Sequence, residues 1–115
     1  MYNIVSTLKS SNIIETVEII DLIDEDNISL LKLKVTLMDE SLLYIHELHT
    51  QNYQKYSYHW QKESGETIMR WDDSPHHKNL ANFPYHLHNG TEIRPSYRVN
   101  IEDVLQEIQS RYDQQ

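Results

Sequence analysis

Cysteine is absent from the 115-residue chain. That excludes disulfides, thiolate metal ligands and a cysteine nucleophile, and it fits a reducing compartment. No apolar run approaches the roughly 18 residues that a membrane-spanning helix needs. The opening MYNIVSTLKSSN lacks the basic-then-apolar pattern of a secretory signal. The expectation is therefore a cytoplasmic protein with no membrane partner. Repeats, low-complexity tracts and a dividing linker are also missing, so residues 1–115 read as one domain. With 38% apolar residues the core is modest, and a homodimer would be one way for so short a chain to bury more surface.

Positive charge is scarce at both ends. The net charge is −8, from 10 Lys+Arg against 18 Asp+Glu. Residues 1–50 carry 3 basic and 9 acidic side chains, residues 51–100 carry 6 and 5, and the last fifteen carry 1 and 4. All seven histidines fall between His46 and His88. The balance argues against nonspecific nucleic-acid binding by the chain as a whole, because phosphates must be neutralised locally. It leaves the middle as the anion-facing part, while the acidic ends would suit a basic partner.

What is present is mostly strand-like. Residues 2–9 read as a short helix that ends near Ser10-Ser11-Asn12. Two β-rich runs follow, 12–23 and 28–38, the second alternating Leu31, Leu33, Val35 and Leu37 with Lys32, Lys34 and Thr36. Residues 41–50 and 53–62 read as a third and fourth strand. Gly65 supplies a hairpin turn, and 67–72 returns as a fifth. From there to Pro95 no period is clear, and Pro75, Pro84 and Pro95 argue against central strands, although an extended piece at 85–88 is compatible with the pattern. Asn100 with Asp103 reads as a helix cap, and Ile101, Val104, Leu105, Ile108 and Tyr112 form a stripe at helical spacing. The predicted fold is α+β: a five-stranded antiparallel meander, short N- and C-terminal helices, and an irregular His/Pro-rich segment.

Sorting strands by face isolates a set with chemistry. Tyr56, Tyr58 and Trp60 point one way and Ser57, His59 and Gln61 the other, while Arg70 and Asp72 oppose Met69 and Trp71. Antiparallel pairing is expected to bring Glu47 or His49, His59 or Gln61, and Arg70 into adjacent rows. Glu, His and Arg together suit metal-free cleavage of an RNA phosphodiester: one group takes the 2′-OH proton, one protonates the leaving oxygen, and arginine steadies the phosphorane. Each residue also has a plainer reading. The Tyr56/Tyr58/Trp60 stripe fits core packing, a Glu47–Arg70 pair fits a cross-strand ion pair, His46 and His49 fit ordinary strand positions, and Asp72 fits an acceptor for turn amides.

The stretch WDDSPHHKNLANFPYHLHNG, 71–90, holds four histidines. His86-x-His88 puts two imidazoles on one face of an extended segment, with His76 or His77 a third ligand and Asp72 a fourth. That is a workable zinc set, though H-x-H is a weak signal and no helical H-E-x-x-H is present. The reading taken as primary needs no cofactor, and the candidate catalytic residues are Glu47, His59, Arg70, Asp72, His77, His86 and His88.

Three spaced blocks, YSYHWQ at 56–61, RWDDSPHH at 70–77 beyond the Gly65 hairpin, and FPYHLH at 83–88, resemble the TumE family of toxins. The resemblance falls on Tyr58, His59, Gln61, Arg70, Asp72, Pro75, His76, His77, Pro84, His86 and His88, and Glu47 sits where the preceding strand of such proteins carries an acid. Asp73 and Ser74 stand where the family has Asn and Ala, which would turn an amide donor into a carboxylate. The resemblance implies a growth-inhibiting toxin whose partner is a cognate antitoxin that binds DNA. With the Glu/His/Arg set, the expected activity is that of a ribonuclease acting on RNA. The alternatives are a metal-dependent hydrolase using the 76–88 histidines, or a non-enzymatic protein that acts by binding a partner.

Overall fold

The computed structural model describes residues 2–75 and 79–114. Helix α1 (Tyr2–Lys9) precedes β1 (Ile14–Glu25), β2 (Ile28–Leu37), β3 (Leu42–Thr50), β4 (Gln54–Gln61), β5 (Thr67–Asp72), β6 (His86–Asn89) and β7 (Glu92–Pro95), and α2 (Ile101–Asp113) closes the chain. The described strands form a single antiparallel sheet in sequence order, β1 through β7. The expectation of five strands is thus corrected to seven, within the expected α+β layout.

The two extra strands lie in the segment read as irregular. Each is four residues long, too short to display a period, with Pro84 two residues before the first and Pro95 ending the second. Pro95 is tolerated because it ends β7, the sheet's edge strand, where one side of the backbone has no ladder partner. Asn89 pairs with Glu92 across a two-residue turn. Its first turn residue, Gly90, has φ 64°, the left-handed conformation that a hairpin turn of this kind requires and glycine adopts without penalty.

Alternation decides which face is covered. Leu31, Leu33, Val35 and Leu37 of β2, Leu43 and Ile45 of β3, Tyr56, Tyr58 and Trp60 of β4, and Met69 and Trp71 of β5 all point to one side. There they meet Leu8 from α1 and Ile101, Val104 and Ile108 from α2. The tyrosine and tryptophan stripe is therefore core, as its plainer reading expects. Trp60 donates its indole N–H to Ser41 Oγ at 3.0 Å and meets the Tyr112 ring edge-on, which satisfies its one polar atom inside the core.

Helix α2 starts where the sequence places it. Asn100 Oδ1 accepts from the Asp103 N–H at 2.9 Å and Asp103 Oδ2 accepts from the Asn100 N–H at 3.0 Å, a reciprocal capping box. Two substitutions separate capping from packing. Asn100→Ala should cost about 1 kcal/mol, whereas Ile108→Ala, at a fully buried position, should cost roughly 2–5 kcal/mol. Urea denaturation of both variants checks the order, and equal losses would mean that α2 is not held mainly by its apolar stripe.

Candidate functional site

The face opposite the helices carries the polar residues. Register lines them into two rows that cross the middle strands: Lys34, Tyr44, His59, Arg70 and His88 in one, and Lys32, His46, Ser57, Asp72 and His86 in the other. Asp72, in the second row at the end of β5, is only 4% exposed. A carboxylate so buried must have its lone pairs occupied. Asp72 Oδ1 accepts from the Ser74 N–H at 3.1 Å and lies 2.6 Å from His86 Nε2, and Oδ2 accepts from Arg70 Nε at 2.9 Å. His88 Nε2 stands 3.9 Å from Oδ2. Burial works to raise the Asp72 pKa, but Arg70, the Ser74 amide and His86 outweigh it and hold the carboxyl below its usual range. The Ser74 contact is the turn-amide role expected for Asp72, present together with the ionic one.

His86 is 2% exposed and its ring is oriented from behind. Its Nδ1 lies 3.0 Å from the Pro84 carbonyl oxygen. A carbonyl only accepts, so Nδ1 carries a proton and Nε2 is the atom aimed at Asp72. The 2.6 Å between Oδ1 and Nε2 is a hydrogen-bond distance, so a proton lies between these two atoms. The His88 ring lies edge-on to that of His86, with centroids 4.9 Å apart. One ligand atom from each of Asp72, His86 and His88 fits within a 4.8 Å cluster.

Arg70 links this cluster to His59. Its Nη1 lies 3.3 Å from His59 Nδ1, and a guanidinium only donates, so His59 accepts there and carries its proton on Nε2, 3.3 Å from Thr67 Oγ1. Burial first, and then the Arg70 charge, hold His59 below the usual histidine pKa. It is a neutral imidazole beside a fixed cation.

Of the seven candidate residues, His59, Arg70, Asp72, His86 and His88 come together on this face. Glu47 does not. It pairs with Leu31 and Tyr56 on the helix-covered side, which corrects the expected adjacency to Arg70 and removes the cross-strand ion pair. Its carboxylate meets His49 Nε2 at 3.3 Å, and together with burial it pushes the Tyr58 hydroxyl far above the usual tyrosine range. His77, and His76 beside it, lie outside the described residues. Asp73, the departure from the family pattern, accepts from the Tyr56 N–H at 3.1 Å. An asparagine oxygen could accept the same bond, so the exchange is neutral for that contact.

Sequence reasoning passed over the Pro84 carbonyl, whose partnership needs a chain reversal that prolines hide, and His46, which it treated as an ordinary strand residue. The signal for His46 was parity: it opposes Glu47 and so shares the side of His59. A groove of about 380 Å3 runs along this face, bordered by Lys32, Tyr44, His46, Ser57, His59 and Arg70.

Burial, then Lys32 and Lys55, lower the His46 pKa from its ordinary 6.5. The unfolded chain thus binds this proton first as pH falls, so His46 contributes stability above about pH 6.5 that is lost as pH drops through its folded pKa. Urea midpoints at about pH 7.5 and about pH 5.5 should fall less in His46→Gln than in the unaltered protein. Equal drops would show that His46 titrates alike in both states.

Among the described residues, no helix is long and apolar enough to cross a membrane. No curated protein and no solved structure matched the chain. The family model described as Toxin TumE, in contrast, matches residues 4–112, which takes in every strand and the helical stripe of α2, and the chain belongs to that toxin family.

Proposed function

We propose that this toxin is a hydrolase of RNA phosphodiester bonds and that its reactive centre is a divalent metal ion held by Asp72, His86 and His88. The observation that carries the reading is the convergence of those three side chains within 4.8 Å. The donor set fits a metal on two further counts. His86 commits its Nδ1 to the Pro84 carbonyl, the backing that metal-bound histidines generally have, and Asp72 is braced by Arg70 in the same manner. Two imidazoles and a carboxylate are also the ligand number of catalytic, as opposed to structural, zinc sites.

A cation there would polarise a phosphoryl oxygen and the attacking water. The chain's own residues do the rest. Arg70, with its side chain 40% exposed, faces the groove and stabilises charge that develops on the phosphorane oxygens. His59, neutral at physiological pH, keeps Arg70 from swinging away, and the Ser74 amide fixes the Asp72 carboxylate. A second reading rests on the Arg70–His59 contact, which supplies a phosphate clamp and an imidazole without any metal.

As the cognate partner we propose an antitoxin protein, on the strength of family membership.

Protein purified without a histidine tag should take up one Zn2+ or Mn2+ per chain in titration calorimetry. It should cleave RNA, lose that activity to a chelator and regain it with metal. His88→Ala, at a partly exposed position, should weaken metal uptake by at least the roughly 10–100-fold that loss of a supporting partner costs. Full cleavage by chelator-stripped protein would sink the metal reading in favour of the second one, and its abolition by Arg70→Ala would then assign the chemistry to the clamp.

A further inference from the structure

We infer that the uncovered sheet face is a track for single-stranded nucleic acid, which crosses β2 to β5 and delivers one phosphodiester to the Asp72–His86–His88 cluster. The inference rests on the proposed phosphodiester chemistry and names its substrate class. It starts from a charge distribution that the net value of −8 conceals. On β2 to β6 the positions that share this face include Lys32, Lys34, Lys55, Arg70 and five histidines or hydroxyl residues between them, namely His46, Ser57, His59, His86 and His88. Asp72 is the one acid on the face of these strands, and Arg70 and His86 compensate it.

Many of the other acids lie on α2 and β1, and of those on β1 Glu18 and Asp21 share this face at its margin. Helix α2 carries Glu102, Asp103, Glu107 and Asp113 on the covered side of the sheet. Strand β1 carries Glu15, Glu18, Asp21, Asp24 and Glu25 at the far edge. Glu18 and Asp21 register with Lys34 and Lys32, yet no ion pair within 4.0 Å joins these lysines to an acid among the described residues. The acids therefore mark the margin of the track and repel a polyanion that strays past it.

The shape suits a single strand. From β2 to β6 is four strand spacings, about 19 Å, a span of several nucleotides across the sheet. The groove of about 380 Å3 is edged by the rings of Tyr44, His46 and His59, flat surfaces on which unpaired bases stack. Lysines at one end and Arg70 at the other bracket those rings, so phosphates and bases both find partners along one line. A duplex keeps its base faces hidden and would meet only the charges.

Fluorescence anisotropy with labelled oligouridylate and oligothymidylate of about 20 nucleotides, and with a duplex of equal length, tests this on the full chain in chelator. Without metal, binding is read apart from cleavage. Both single strands should bind with salt-dependent affinity and the duplex several-fold more weakly. The double substitution Lys32→Gln, Lys34→Gln should lower the slope of log K against log salt by about 1.4, that is about 0.7 for each charge. Lys32→Glu, Lys34→Glu should bind more weakly still, and Lys9→Gln, Lys62→Gln, off this face, should leave binding unchanged. Circular dichroism and the urea midpoint show that each variant is folded. Absent binding at low salt, an unchanged slope in the lysine double variant, or equal affinity for the duplex would overturn the track. Metal-dependent RNA cleavage with an unchanged slope would discard the track alone and leave the proposed chemistry standing. Binding as described without metal-dependent cleavage would do the reverse.

Discussion

A carboxylate buried in the middle of a sheet is unstable unless its charge and lone pairs are answered, and Asp72 sets that condition for everything around it. Four groups from three places meet the demand: the Ser74 amide from the turn after β5, Arg70 from the same strand, and His86 and His88 from the next. Because β6 is only four residues long, its two histidines are half of the strand. The pairing of β6 with β5 and the compensation of Asp72 thus support one another. An isolated four-residue strand has little reason to form, and an isolated buried aspartate has every reason to pick up a proton.

That mutual dependence explains which parts were legible. Period-two alternation from residue 28 onward assigned faces correctly on β2, β4 and β5, and the Asn100/Asp103 pair located α2 to the residue. Glu47 was misplaced beside Arg70 although the information to exclude it was available. In an antiparallel ladder, directly paired residues share a face, and Glu47 has the parity of Ile45, whose place in the core puts Glu47 on the side of Tyr56 and Tyr58. The strands β6 and β7 are a different matter. The formation of β6 depends on β5 partners well back in the sequence, and that of β7 on an edge position that forgives Pro95, neither of which is written in the local pattern. The family resemblance takes in His86 and His88, but only the register shows that they meet Asp72.

The sheet also sorts charge. One face is closed by helices and is apolar within. The other is open and is cationic along its centre, in a chain with eight more acids than bases. A global charge averages over surfaces that a ligand never meets together, whereas fields act over about a Debye length, roughly 8 Å in physiological salt. At that range α2, across the sheet, is remote from the groove, while Glu18 and Asp21 of β1 bear only on its Lys34 and Lys32 end. An acidic exterior with a basic seam keeps the molecule from adhering to every polyanion while leaving one route open.

The meander order has a consequence for synthesis. Every strand pairs with the one before it, so contacts are local in sequence and each hairpin can close as soon as its second strand is available. The polar cluster draws on residues 59–88, and its last member, His88, precedes α2 by little more than ten residues. A nascent chain that has emerged only as far as β5 therefore carries a sheet without the complete cluster. The face that gathers these side chains is complete only once β6 has paired with β5, so the cluster is among the last parts of the sheet to form.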